Sequence, residues 1–393
     1  MGDRSAGYTV GGVGQTAHSY GYDDLNRLVS GSATGGEFPN FSSTWIFEAL
    51  GNMTNKAGMI QGYPASGPSS VRPHAVITSS NAYNGNYNCF ANGNMTTRMD
   101  ASVTYTRTWD AQNRPSGVTA PGKDTAWTYD ADGARVSRVN GPITTVYIPA
   151  LSEVEGGSVE IQISGTMRLT TTYYFFGGAR IAMRAMPRAC RGVGETVTYL
   201  HGDHLGSVSL ATNASGNVVS QQRYKPYGEV RWASGAGMPT DKQFTSQMRL
   251  AEGYVGTLYD YVARAYDPVL GRFISADTIV PGAGNSQAYN RYMYVRGNPL
   301  GRIDPSGHQD CSKMSGDPFW QCRYNNAHGV QWNDTTLKWD LIDAVFMDTD
   351  ILNQVAQEAG VIWGTGEFGI RKWQSDEKSS VMQGIVRLAN KVG

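Results

Sequence analysis

A six-residue pattern recurs through the first third of the chain: YDDLNR at position 22, FEALGN at 47, CFANGN at 89, WDAQNR at 109 and YDADGA at 129. The intervals are 25, 42, 20 and 20 residues, so the unit is near twenty and the interval of 42 holds an unrecognised copy. The chemistry of the unit is that of a hairpin. Tyr22, Phe47, Trp109 and Tyr129 are placed to end a strand and pack on the next unit. Asp23, Glu48, Asp110 and Asp130 open the turn, the aspartates accepting a hydrogen bond from the backbone N–H two residues on. Asn26, Gly51, Gly93, Asn113 and Gly133 then fall where φ is positive, a conformation that glycine and asparagine tolerate best. A lone hairpin is not stable, so successive units must pair edge to edge into one growing, twisted sheet. A calcium-loop array is excluded, because one acid per repeat falls short of the roughly six oxygens that calcium needs.

Composition points the same way. The 393 residues include 48 glycines and 22 tyrosines, and 17% are charged, which suits many strands joined by tight turns better than a helical or α/β enzyme. Thirty-three acidic residues balance 33 basic ones, so no net field draws the wall onto nucleic acid or an anionic membrane. No apolar run reaches the roughly 18 residues of a membrane span, and the N-terminus lacks the charged-then-apolar profile of a signal peptide. Cys89, Cys190, Cys311 and Cys322 include no CxxC pair; free thiols are expected, with a Cys311–Cys322 disulfide as the alternative.

Residues 55–88, rich in Gly, Pro, Ser and Asn, predict irregular strands and loops, and residues 153–185 return to strand alternation, with a strand and turn at Tyr173–Phe176 and Gly177–Gly178. After Gly307 the texture changes. In LKWDLIDAVFMDTDILNQVAQEAG, Leu337, Leu341, Ala344, Val345 and Leu352 share one face of a predicted helix, and SDEKSSVMQGIVRLANKV predicts a second. Asp334, Asp340, Asp343, Asp348 and Asp350 suit a solvated helix face, with Mg²⁺ binding as the alternative. His328 with Glu358 or Glu367 offers an acid and base that neither spacing nor neighbours support.

Three segments, YLHGDHLGSVSLATNASGNVVSQQRYKPYGEVRW (199–232), LYDYVARAYDPVLGRFISAD (258–277) and RYMYVRGNPLGRIDPSG (291–307), resemble in that order the recombination-hot-spot (RHS) or YD-repeat family. Together with the repeats, the resemblance covers residues 1–307. It implies a mainly β fold: a continuous, coiled antiparallel sheet of hairpins forming part of a hollow shell, a core segment closing one end, and a variable C-terminal piece, often a toxin. The expected division is a hairpin array at 1–150, the repeat-associated core at 151–307 and a small α-helical extension at 308–393. The family includes contact-dependent competition effectors and the C component of insecticidal toxin complexes. The resemblance therefore implies a secreted or cell-surface life, the chain's own C-terminal segment as cargo, an immunity protein as partner, and no cofactor. A surface adhesion or carbohydrate-binding module, its aromatics stacked on sugar rings, is the alternative.

ARAYDPVLGRFISAD (263–277) holds the candidate chemistry. Asp267 and Pro268 start a turn that Gly271 completes, with Tyr266 and Phe273 as cross-strand neighbours. Arg264 and Asp277 match the arginine and aspartate that the resemblance implicates in aspartyl-type self-cleavage just after the core. That chemistry needs two carboxylates too close to ionise together. Asp277 is the first, Asp304 or Asp267 the second, and Arg264 orients a carboxylate or polarises the scissile carbonyl, here that of Gly307 before His308. The structural alternative makes Arg264 and Asp277 an interstrand salt bridge and Asp304 a turn opener before Pro305. Two positions depart from the family pattern: His308 stands where self-cleaving members usually have leucine, and Ala265 where some carry a second acid. His201, Asp203 and His204 offer three metal-ligating side chains in four residues, but no fourth ligand is identifiable and a tight turn before SVSLAT is preferred.

Overall fold

In a computed structural model of the chain, residues 4–235 build one sheet of 21 strands, from β1 (Arg4–Tyr8) to β21 (Val230–Gly235). Every strand pairs antiparallel with the next in sequence. The structure describes residues 4–312 except 9–15, 36–37, 82–83, 101–102, 123, 132, 149–157, 177–178, 188–193, 236, 251–257, 281–283 and 309, together with 330–333 and 338–341. The ladder continues across position 150, since Ile143–Ile148 pairs with Val159–Ser164.

The predicted turn is present at all five copies. Asn26, Gly51, Gly93, Asn113 and Gly133 have φ of 58°, 81°, 96°, 62° and 87°. At Asp110 the backbone N–H reaches the Arg114 carbonyl at 2.9 Å, and its carbonyl accepts the Asn113 N–H at 3.2 Å. Its Oδ1 takes the N–H groups of Gln112 and Arg114, each at 2.9 Å. The ladder register shifts at Trp109 and at Tyr129, so each closing aromatic marks a bulge. The same backbone pattern recurs at Asp203, Asn213 and Lys225, ending in Gly206, Gly216 and Gly228 with φ of 82°, 79° and 91°. The aromatic-acid pattern passed over these three: Gly202 and Thr212 replace the aromatic in two, and Lys225 replaces the acid in the third. Among the described residues the interval of 42 holds no such turn. There Met53–Lys56 and Met59–Gly62 join through Ala57 and Gly58, both at positive φ, and residues 63–77 follow outside any strand.

Because successive strands reverse direction, connections alternate between two rims. The turns opening at 23, 48, 90, 110, 130, 203 and 225 all fall on one rim, that at 213 on the other. Side chains alternate likewise: along Val103–Trp109, Tyr105 and Arg107 are buried while Thr104, Thr106 and Thr108 face solvent. The sheet also coils. Trp232 of β21 lies 4.8 Å from the ring of Phe38, and Arg231 stacks on Phe41 at 5.1 Å, bringing late strands beside early ones.

Residues 238–307 dock on the turn-bearing rim and the buried face. Their described residues contain four short strands paired with one another, Met248–Arg249, Tyr259–Asp260, Ala265–Asp267 and Arg272–Phe273, a fifth, Arg302–Ile303, that pairs beyond the segment, and three 3-10 turns. Phe244, Tyr259, Tyr261, Tyr266, Phe273 and Tyr294 form an aromatic cluster that meets Trp45 and Tyr227 of the wall segment. The segment reads the turns through backbone: Asn290 Nδ2 donates to Gly51 O at 3.0 Å, Tyr292 OH to Gly93 O at 3.0 Å and Ser246 Oγ to Gly206 O at 2.8 Å. Buried ion pairs add to these, Arg98 with Asp267, Arg135 with Asp260 and Glu160 with Lys242.

The C-terminal helix predicted from Leu337 is corrected at its start. Lys338–Leu341 is a strand paired antiparallel with Val330–Asn333, Trp339 opposite Trp332, so the backbone groups of 338–341 are met across a ladder rather than within a helix turn. The remainder of both predicted helices, the other tail acids, His328 and Cys322 lie outside the described residues, as does Cys190.

Asp110→Ala removes the side-chain acceptor of two backbone N–H groups and the Arg114 ion pair and should cost about 1–2 kcal/mol in equilibrium denaturation, whereas Asn26→Gly, at φ 58° in an exposed turn, should stay within about 0.5 kcal/mol of wild type. Asp267→Ala leaves fully buried Arg98 without that carboxylate and should cost about 3–5 kcal/mol by the same measurement.

Candidate functional site

Arg302–Ile303 pairs with Cys311–Ser312, so residues 304–310 are the tip of a hairpin and Gly307–His308 lies within it. Gly307 has φ 79°, and a Cβ there would come 2.5 Å from the Tyr261 carbonyl oxygen and 3.0 Å from the Arg264 nitrogen. Only glycine fits that close approach. The tip is also held from outside, because the Ala263 N–H donates to Ser306 O at 3.1 Å, while Asp310 pairs with Arg302 and, at 2.9 Å, with Arg296.

Arg264, just before the strand Ala265–Asp267, organises the site. Its guanidinium lies flat on Phe273, 3.6 Å from the ring centroid. Nε donates to the Gly307 carbonyl, and one terminal nitrogen donates to the Arg291 carbonyl at 2.8 Å. The other terminal nitrogen meets Asp277 Oδ2 at 3.0 Å and Asp304 Oδ2 at 3.3 Å. Two buried carboxylates therefore share one nitrogen of a cation whose remaining face holds the carbonyl between Gly307 and His308.

The carboxylates differ in their surroundings. Asp304 Oδ1 accepts the Gly307 N–H at 2.8 Å. Burial, aided by the nearby charges of Asp277 and Asp310, pushes Asp304 up to about 6 against the opposing pull of Arg264 and the Gly307 N–H. Burial also presses Arg264 below its usual range, with Asp277 and Asp304 acting the other way; an arginine keeps its charge throughout. Asp277 Oδ1 accepts the Ile279 N–H at 3.1 Å and lies 2.7 Å from His308 Nδ1.

Sequence reasoning named Arg264, Asp277, Asp304, Gly307 and His308, and the structure brings all five together. Asp267, the other suggested partner, is elsewhere: it pairs with Arg98 and accepts the N–H groups of Val269 and Leu270, while Tyr266 faces Phe273 across the strands. Its turn role stands and its carboxylate is not at the junction. Arg291 was not singled out, although its backbone carbonyl and its Nε, bonded to the Asp277 carbonyl, frame the site. Backbone roles of this kind leave no residue-type signal. At HGDHLGS, Asp203 Oδ1 accepts the N–H groups of Leu205 and Ser207, His201 meets Thr212 at 3.0 Å and His204 the Leu300 carbonyl at 3.3 Å. These contacts make a turn and send the three side chains to separate partners.

A coiled β wall, docked along one rim by a segment that presents an arginine-bridged carboxylate pair at a glycine junction, is the class of protein described here. No family model matches the chain. It is 25% identical over 293 residues to the tRNA3(Ser)-specific nuclease WapA of Bacillus spizizenii, a stretch that is 73% of this chain and 12% of that protein. It is 28% identical over 222 residues to the toxin subunit YenC1 of Yersinia entomophaga, 51% of this chain and 22% of that protein. The crystal structure of TcdB2-TccC3-TEV overlaps 74% of this chain and 17% of its own, at 17% identity and a TM-score of 0.46. The chain is thus similar to toxin proteins and spans a small part of their length.

Gly307→Ala should lower stability by about 2 kcal/mol or more, seen as a drop in Tm, because a positive φ and two backbone contacts both oppose the methyl group.

Proposed function

We propose that the chain is a portion of an RHS/YD-repeat toxin-type protein, secreted or displayed at the cell surface, whose β wall carries residues 308–393 as cargo for bacterial competition. In this reading the hairpin array of 1–150 and the repeat-associated core of 151–307 form one continuous wall and closure, 308–393 is the variable effector, and an immunity protein is the partner outside this chain. Similarity to WapA and YenC1 supports the scaffold.

The same reading includes self-cleavage between Gly307 and His308, and one observation carries it: Arg264 binds the Gly307 carbonyl and both carboxylates at once. Asp277 acts as the base. It takes a proton from a water whose oxygen bonds to the Gly307 carbonyl carbon, while Arg264 stabilises the charge that gathers on the carbonyl oxygen. Asp304 enters protonated, as its elevated titration range provides, and gives that proton to the His308 amine as the C–N bond breaks. Net, one water is consumed, and a carboxyl terminus at Gly307 and an amino terminus at His308 appear.

Purified full-length chain followed by intact mass and N-terminal sequencing should yield a fragment beginning at His308. Asp277→Asn should slow its appearance about 100-fold or more. The yield should fall as pH rises from 6 to 8, because Asp304 loses its proton through about 6. Wild type and His308→Leu both intact at every pH would leave the scaffold alone and remove the self-cleavage.

A further inference from the structure

The residue following the junction supplies one of the groups that face the proposed base. His308 Nδ1 lies 2.7 Å from Asp277 Oδ1, with the imidazole about one-third exposed and the carboxylate almost fully buried. A carboxylate offers about four lone-pair sites. On Asp277, Oδ2 is occupied by Arg264, and Oδ1 is occupied by the Ile279 N–H and by His308. Three donors take three of those sites, filling Oδ1 and leaving only one on the oxygen that Arg264 holds, and the water that would attack Gly307 must be held by this carboxylate.

We propose that His308 is a latch on the junction: its imidazole occupies the Asp277 oxygen needed to activate water, and cleavage waits until that contact opens. The latch rests on the self-cleavage reading given above. It differs from a supporting residue in sign, since removing a support slows a reaction and removing a latch speeds it. With its proton on Nδ1 the ring donates to Asp277. A neutral ring can carry its proton on Nε2 and let the contact go. Among the described residues, Arg264 and Arg291 contact Asp277, Asp304 shares Arg264 with it, and the charges of Asp277 and Asp310 both act on Asp304. The two arginine side chains are cations at every pH concerned, and Asp304 is the acid partner already assigned. The partial exposure of His308 lets the ring swing to solvent without opening the core.

The test compares full-length wild type, His308→Leu and His308→Gln, each with and without Asp277→Asn, by the rate of appearance of the fragment beginning at residue 308 at pH 5, 6, 7 and 8. The latch predicts that His308→Leu cuts at least tenfold faster than wild type at each pH. His308→Gln, which keeps a hydrogen-bond donor, should fall between. Asp277→Asn should suppress all three. If wild type cuts as fast as or faster than His308→Leu, the latch is overturned while self-cleavage stands. If neither variant nor wild type ever cuts, self-cleavage itself fails and the latch falls with it. Circular dichroism of the His308 substitutions should match wild type, so that a slow variant is not an unfolded one.

Discussion

A strand that slips by one residue turns its whole buried face to solvent, and a sheet of 21 strands offers that error at every step. The bulged turn prevents it. An acceptor at the first position and a residue at positive φ three further on give the reversal one geometry, and the register shift beside Trp109 or Tyr129 is built into it. Once register is set, Arg98, Tyr105, Arg107 and Trp127 must point inward, and the turns must gather on one rim. The remaining architecture follows from those two results: an inner face that needs cover, and a line of turn carbonyls ready to accept hydrogen bonds.

The covering segment answers both demands. Its aromatic cluster fills the apolar part of the inner face, while Asp260 and Asp267 meet inward arginines that a purely apolar lid would strand. Buried pairs of this sort add less stability than their Coulomb energy suggests, because each ion gives up its hydration. They do fix position. A segment displaced by one residue would leave Arg98 or Arg135 facing no carboxylate, so the pairs select the docking that also brings Arg264, Asp277 and Asp304 together.

Much of the wall was legible in the sequence, and the reason is local. A turn lies within five residues, so acid, spacing and glycine or asparagine report it directly, down to the sign of φ at Asn26 and Asn113. Where the aromatic or the acid was missing, at Gly202, Thr212 and Lys225, the module was passed over although glycine stood at the same offset. The interval between 48 and 89 misled for the opposite reason: spacing alone implies a copy, whereas its described residues hold short strands joined by a two-residue turn at Ala57–Gly58 and by the long loop 63–77. The junction was legible as residue types, but pairing Asp277 with Asp304 rather than Asp267 depended on contacts across 27 and more positions. Asp267 proved to be the partner of Arg98, 169 residues away, which no local pattern contains. The helix expected from Leu337 began on a stretch that pairs as a strand, since a period of three and four cannot see a partner at 330–333.

The hairpin that carries the junction has its own grip on the chain beyond it. Asp310 is held by Arg296 and Arg302, and Cys311 is laddered to Ile303, all on the far side of the Gly307–His308 bond. Covalent continuity and physical attachment are thus separate properties at this point: a nick would leave the downstream chain moored by two arginines and a short ladder, to be freed by whatever weakens salt links rather than by the break.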